Sequence, residues 1–326
     1  MAEQALGRPG PGRTTLPEVF LVGPTAVGKT AVAIELALAL GAEILSIDSR
    51  QAYRRLDIGT AKPTPDEQAR VRHHLLDLCE PTETLSAEDF ARSYRAVRED
   101  LARRGAAALA TGGSGLYVDA CLGRLDPLPP ADAAIRAAHE ELRRRLGPEA
   151  LHALLVAVDP ASAARLHPRD FKRVSRALEV HETSGRPLSE LRTRADPLDV
   201  SRDPRLLLLL RAPADLDARI EARSAAMLAA GLLAEVRGLL ESGVPAGAPG
   251  LEAIGYGDFA EVLRGALPLP AALERFARRT RQYARRQKGW FRNRYRGVTE
   301  VAIAPGEAPA ETAGRCLDLL GIRERA

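Results

Sequence analysis

The stretch FLVGPTAVGKT, residues 20–30, decides the fold. A short apolar run enters Gly23-Pro24-Thr25-Ala26-Val27-Gly28-Lys29-Thr30, and the apolar helix pattern AVAIELALAL follows at once. Strand, glycine loop with GxxxxGK[ST] spacing, and helix are the parts of a phosphate-binding P-loop. In such a loop, backbone N–H groups and a helix N-terminus cradle anionic oxygens. Lys29 adds a compact point charge, and the Thr30 hydroxyl is placed to hold Mg2+. The motif alone does not say which phosphate ester is bound. Only Lys29, Lys62, Lys172 and Lys288 are lysines, against 43 arginines, so a lysine kept at this position favours a working loop.

Outward from the loop, strand and helix patterns alternate. EILSID (residues 43–48) reads as a strand, residues 90–104 have helical spacing, and AALATGG (107–113) reads as another strand. This order predicts an α/β fold, a parallel sheet covered by helices on both faces. Ligands of such sheets sit at the carboxyl ends of the strands, which points to the loops starting at Gly23, Asp48 and Thr111. A proline-rich break, LDPLPPAD, follows, and residues 131–180 read as helical with no strand. RLLLLLRA (205–212) reads as a buried strand returning to the sheet, followed by helix over 213–243, the loop GVPAGAPG and terminal helices. The expected organisation is a P-loop core of residues 16–122 and 200–326, a helical insertion over 123–199, and a disordered lead-in over 1–15.

The composition is that of an ordinary globular protein, 45% hydrophobic and 28% charged over 326 residues. No apolar run approaches the roughly 18 residues of a membrane span. The N-terminus has no apolar segment of the secretory kind. Cys79, Cys121 and Cys316 are isolated, without metal-ligand spacing, which fits a reducing cytoplasm. Net charge is +4 but uneven: residues 273–296 carry nine Arg, one Lys and one Glu, leaving −5 on the remainder. One basic segment on a mildly acidic body suggests a localised polyanion contact, against the alternative of a solvated arginine-rich helix.

Several residues could carry chemistry. Asp48, at the end of the second strand, could hold Mg2+ through water or act as a general base; the competing reading is a turn or cap residue. TGGSGLY (111–117) is a glycine-rich turn of the kind that can exist for backbone geometry alone. Arg219 and Arg223, four apart on one helical face, could reach a diphosphate or pair with Glu221 or Glu235. Phe276, Tyr283 and Trp290 recur every seven residues and read as core packing rather than base stacking, with arginines between them facing outward. Taken by themselves, these features admit a P-loop kinase or a non-catalytic RNA-binding protein.

Taken together, GPTAVGKT, DSRQAYRRLDIGTAKP, HHLLD, TGGSGLY, RLHPRDFKRVSRALEV, RSAAMLAAGLLAEV, AIGY and RQYARRQ followed by WFR resemble the tRNA dimethylallyltransferases over residues 16–296. The resemblance implies that the loop holds dimethylallyl diphosphate rather than ATP. It implies transfer of the prenyl group to N6 of the adenosine 3′ of the anticodon, in tRNAs reading codons that begin with U. By the same resemblance, Asp48 is the base, Thr25 lies near the bridging oxygen, and Lys29, Arg223, the loop amides and Mg2+ at Thr30 stabilise the departing diphosphate. Residues 48–51 (Asp48, Ser49, Arg50, Gln51) read the flipped base, and Ser114 and Arg136 contact tRNA. Arg165, Arg169, Lys172, Arg173 and Arg176 of the insertion, with Gln282, Arg285 and Arg286 of the basic segment, are expected to grip the anticodon stem-loop. A monomer suffices for this. Two departures stand out: Gly257 follows AIGY where the family is usually basic, and Gly289 precedes Trp290. Glycine inside a helix costs about 1 kcal/mol, so the basic helix is expected to end or kink at Gly289.

Overall fold

The computed structural model describes residues 18–192, 197–201 and 205–322; the lead-in expected over residues 1–15 lies outside them. In chain order the elements are β1 (Val19–Val22), α1 (Lys29–Leu40), β2 (Ala42–Ile47), α2 (Pro65–Arg70), β3 (His73–His74), α3 (Ala87–Arg104), β4 (Ala107–Gly112) and α4 (Gly115–Cys121). Five helices follow: α5 (Ala133–Leu146), α6 (Pro148–Val158), α7 (Pro160–Ala163), α8 (Phe171–Ser184) and α9 (Leu188–Leu191). The chain then continues through β5 (Leu198–Asp199), β6 (Arg205–Leu210), α10 (Pro213–Ala229), α11 (Leu232–Glu241), α12 (Tyr256–Leu263), α13 (Leu269–Arg294), β7 (Tyr295–Arg296), β8 (Thr299–Ala302) and α14 (Pro309–Leu320).

Six strands form one sheet in the order β3-β2-β4-β1-β6-β8, with every pairing parallel. Both faces are covered, so the central strands β1 and β6 are near-continuously apolar rather than alternating. Alternation instead divides each strand between two cores. Val19 and Leu21 of β1, and Leu207 and Leu209 of β6, pack toward α1 and α14. Phe20, Val22, Leu206, Leu208 and Leu210 pack toward α3 and the end of α13. Five consecutive leucines in β6 are thereby all buried. Four of the six strands are the ones expected from sequence. The edge strands β3 and β8, two and four residues long, carry too few apolar residues to give a strand pattern.

A third cluster joins Tyr53 and Leu56 to α11, α12 and the first half of α13 through Leu232, Val236, Tyr256, Phe259 and Phe276. The chain divides into two compact units: the described residues up to Gly123 together with those from Pro197 on, and the residues between them. Among its described residues the smaller unit has helices α5–α9 and no strand, and it packs on Leu151, Leu155, Val174 and Leu178. Within it, the fully buried Glu179 carboxylate accepts from Arg176 at 2.7 Å and the Asp132 N–H at 2.5 Å, and pairs with Arg136 at 3.0 Å.

The break expected at Gly289 does not occur. α13 runs unbroken for 26 residues, to Arg294. Beyond the glycine, Phe291 is fully buried and Arg294 donates to the buried Asp119 at 2.8 Å. Those anchors outweigh a propensity cost of about 1 kcal/mol.

Candidate active site

Register brings the three loops singled out by sequence into one row. Val22 of β1 and Ile47 of β2 both pair with Gly112 of β4, which lies between them. Gly23, Asp48 and Gly113 are therefore the first residues past the carboxyl ends of three adjacent strands. With strands about 4.8 Å apart, the P-loop and Asp48 face each other across the glycine turn at about 10 Å of backbone separation. Arg211 leaves β6 on the other side of β1, one residue past its end.

The P-loop, residues 23–30, is built by local geometry and then held from outside. Gly28 is the N-cap of α1 at φ 107°, a left-handed conformation natural to glycine. Lys29 Nζ donates to the Pro24 carbonyl at 2.9 Å, which uses one of its three donors. Around the loop, side chains from distant sequence converge. Arg211 Nε donates to the Val27 carbonyl at 2.8 Å, Arg219 Nε to the Ala26 carbonyl at 3.0 Å, and Arg223 Nη2 to Thr25 Oγ1 at 2.8 Å. Arg211 and Arg219 also approach Gly28 with their Nη2 atoms. Ile220 packs on Ala277 and Ala284, with Ala26 against them, so α10 and α13 hold the loop together.

This is a concentration of positive charge. Burial lowers the Lys29 ammonium to about 8, Asp48 opposing the shift and Arg223 adding to it. Arg223 is lowered to about 10 by burial and then by Arg219, again against Asp48. Cations that depress one another in this way create a site that an anion relieves. Among the described residues neither Arg219 nor Arg223 forms the ion pair with Glu221 or Glu235 that was weighed against a diphosphate role; Glu235 accepts from the N–H groups of Asp57, Ile58 and Gly59 and from the Tyr256 hydroxyl.

Opposite the loop, Asp48 Oδ1 accepts from the N–H groups of Arg50 at 2.8 Å and Gln51 at 3.4 Å, leaving Oδ2 outside those bonds. The turn role weighed for Asp48 thus exists alongside the free oxygen. Ser49 N–H donates to Ser114 Oγ at 3.1 Å, tying this segment to the glycine turn. Tyr283 lies beside Ser114, its phenol pushed up to about 12 by burial and then by the Asp48 charge. Of the aromatic stripe, only Phe276 belongs to the core. Tyr283 lines the site, and Trp290 is 38% exposed above Gly115, so packing accounts for the stripe only in part.

Arg50 and Gln51 have partners of their own: Arg50 donates to the Pro249 carbonyl at 2.9 Å, and Gln51 to Ala61 at 2.9 Å. On α13, Gln282 and Arg285 are exposed, and Arg286 lies over the Tyr283 ring. The smaller unit carries Arg136 and Arg176, both on Glu179, the exposed Arg173 beside Asp170, and Lys172, Arg165 and Arg169 on its surface. Sequence reasoning missed Arg211, whose place just past a strand end was its signal. It also passed over Gln287, which Thr25 and Gly113 both contact.

No cluster of three His, Cys, Asp or Glu side chains suited to a metal occurs among the described residues. Thr30, in the first turn of α1, offers a hydroxyl. One hydroxyl beside a loop lined by N–H groups and cations fits Mg2+, which keeps most of its water and is held chiefly by the oxygens of a bound anion.

A model of the IPP transferase family matches residues 51–294. A tRNA dimethylallyltransferase of Halorhodospira halophila is 46% identical over 88% of this chain and 94% of that protein. One of Anaeromyxobacter is 49% identical over 87% and 92%. Among solved structures, a tRNA isopentenylpyrophosphate transferase of Bacillus halodurans superposes with a TM-score of 0.66 at 33% identity, over 94% of this chain and 97% of that one. A eukaryotic dimethylallyltransferase acting on tRNA shares the fold, with a TM-score of 0.73 at 23% identity.

Proposed function

The chain belongs to the IPP transferase family, and from that premise we propose that it transfers the dimethylallyl group of dimethylallyl diphosphate to N6 of the adenosine 3′ of the anticodon, in tRNAs reading codons that begin with U. One juxtaposition carries this reading. The loop with Thr25 and Lys29 follows β1, joined by Arg223 of α10 at Thr25, and the carboxylate of Asp48 follows β2, in the same register on either side of β4.

The chemistry uses both sides. N6 attacks the allylic C1, the C–O bond to the diphosphate breaks, and the N6 proton passes to Asp48 Oδ2. An exocyclic adenine amine is a poor nucleophile, which is why a base is needed there. Negative charge grows on the departing oxygen as the bond breaks. Lys29, Arg223, the loop N–H groups and the Thr25 hydroxyl are fixed beforehand where it grows, and such preorganised electrostatics usually give the largest catalytic contribution. Mg2+, held at Thr30, would supply further neutralisation of the diphosphate. The base must leave its stack to reach Asp48, at a cost of a few kcal/mol. Exposed arginines of α13 and the smaller unit are suited to repay that cost through tRNA phosphates. Nothing in the reaction asks for more than one chain.

Among the described residues no helix is long and apolar enough to cross a membrane. Purified protein, Mg2+, labelled dimethylallyl diphosphate or ATP, and unmodified tRNA test the proposal. Prenyl label in tRNA is the expected result. ATP turnover on a small acceptor, or tRNA binding with no turnover, overturns it.

A further inference from the structure

Gln287 stands on the face of α13 that meets the P-loop, one turn beyond Tyr283, and is 5% exposed. Both ends of its amide are used. Oε1 accepts the Thr25 N–H at 2.8 Å, and Nε2 donates to the Gly113 carbonyl at 2.9 Å. One partner is a donor and the other an acceptor, so the amide has a single orientation. The side chain thereby ties the loop after β1 to the turn after β4. A Cβ on Gly113 would stand 2.3 Å from Nε2, so a glycine is needed there for the tie to exist.

Thr25 is the residue this tie controls. Gln287 holds its N–H, and its Oγ1 accepts from Arg223. Its own hydroxyl hydrogen is then left to face an incoming oxygen. We propose that Gln287 is a positioning residue for the prenyl donor: it sets Thr25, and through Thr25 the Arg223 guanidinium, where the diphosphate oxygens bind. It acts from the same helix whose exposed arginines are suited to RNA, so docking of RNA on α13 and order in the diphosphate cradle share one rigid element. This inference rests on the function proposed above and concerns how its donor site is held in shape.

Steady-state kinetics with each substrate varied in turn test it. Gln287→Met keeps length and volume but removes both hydrogen bonds. The KM for dimethylallyl diphosphate should rise about tenfold, as expected when buried partners lose their bonds, with the KM for tRNA within about twofold. Gly113→Ala, which displaces Nε2, should give the same split. The double variant should be no worse than the weaker single one, because both changes cut one tie. Gln287→Glu, which keeps an acceptor for Thr25 but no donor for Gly113, serves if either variant fails to fold. An unchanged donor KM overturns the inference, as does a fall in kcat with both KM values intact, the mark of lost folded protein. Wild-type protein that transfers no label overturns the function itself; working wild type beside unaffected variants overturns only the role of Gln287.

Discussion

Asp48 holds its own turn and, in the proposed reaction, takes up a proton, and the two roles separate by atom. Its Oδ1 caps the turn through the Arg50 N–H, while the proposed proton acceptor is Oδ2, which that bond leaves out. Asp48→Asn keeps the cap and removes the base. Prenyl transfer should fall about a hundred- to ten-thousand-fold, the usual worth of a general base. tRNA affinity, measured by filter binding, should change by less than about threefold, because the cationic contacts lie elsewhere. Activity near wild type would remove Asp48 from the proton transfer. Lys29 gives a pH dependence of defined sign. Burial lowers its ammonium to about 8, so the free enzyme carries the charge below that pH and loses it above. A diphosphate prefers the charged form. kcat/KM for dimethylallyl diphosphate should therefore decline above about pH 8, approaching tenfold per pH unit. A lysine at its ordinary value would hold a plateau to about pH 10, and such a plateau would refute the depressed value.

At the scale of the element, α13 decides more than any other helix. Its residues at 276, 280, 283, 287 and 291 form one face, which passes from the third core cluster across the site into the sheet. Gly289 lies within it, and a Cβ there would meet nothing within 4 Å. Gly289→Ala should therefore stabilise the protein by roughly 0.5–1 kcal/mol, read by urea denaturation, since alanine restricts the unfolded chain and favours helix. A loss of stability would show an obstruction that the helix does not display. The segment after Asp48 depends on α11 in a comparable way. Glu235 takes three successive backbone N–H groups, those of Asp57, Ile58 and Gly59. Glu235→Ala leaves them without their acceptor and should cost about 1–3 kcal/mol, measured in the same denaturation experiment. A neutral result would mean that water replaces the carboxylate at no cost.

For the whole molecule, uneven charge is the property that meets a partner. Residues 273–296 hold nine Arg and one Lys against one Glu, and Arg285 is among the most exposed of them. If these side chains neutralise tRNA phosphates, binding weakens steeply with salt. Arg285→Ala and Arg286→Ala should each weaken binding and lower the slope of log K against log salt by about one. Unchanged slopes in gel-shift titrations would remove α13 from the RNA contact.

The sequence by itself determined the strand-loop-helix of residues 19–40, the alternation that makes a parallel sheet, and the candidates Asp48 and Arg223. Each of these is written in local spacing, where glycines, apolar runs and their periods act on near neighbours. Strand order was decided only by tertiary structure: β4 lies between β1 and β2, and that register alone sets Asp48 opposite the P-loop. The grips of Arg211, Arg219 and Gln287 on the loop were likewise beyond a linear reading, since they span 184 to 262 residues of chain. The failed break at Gly289 has the same cause. A helix propensity of about 1 kcal/mol acts within a single turn, whereas the anchors that override it come from packing against residues far away in sequence.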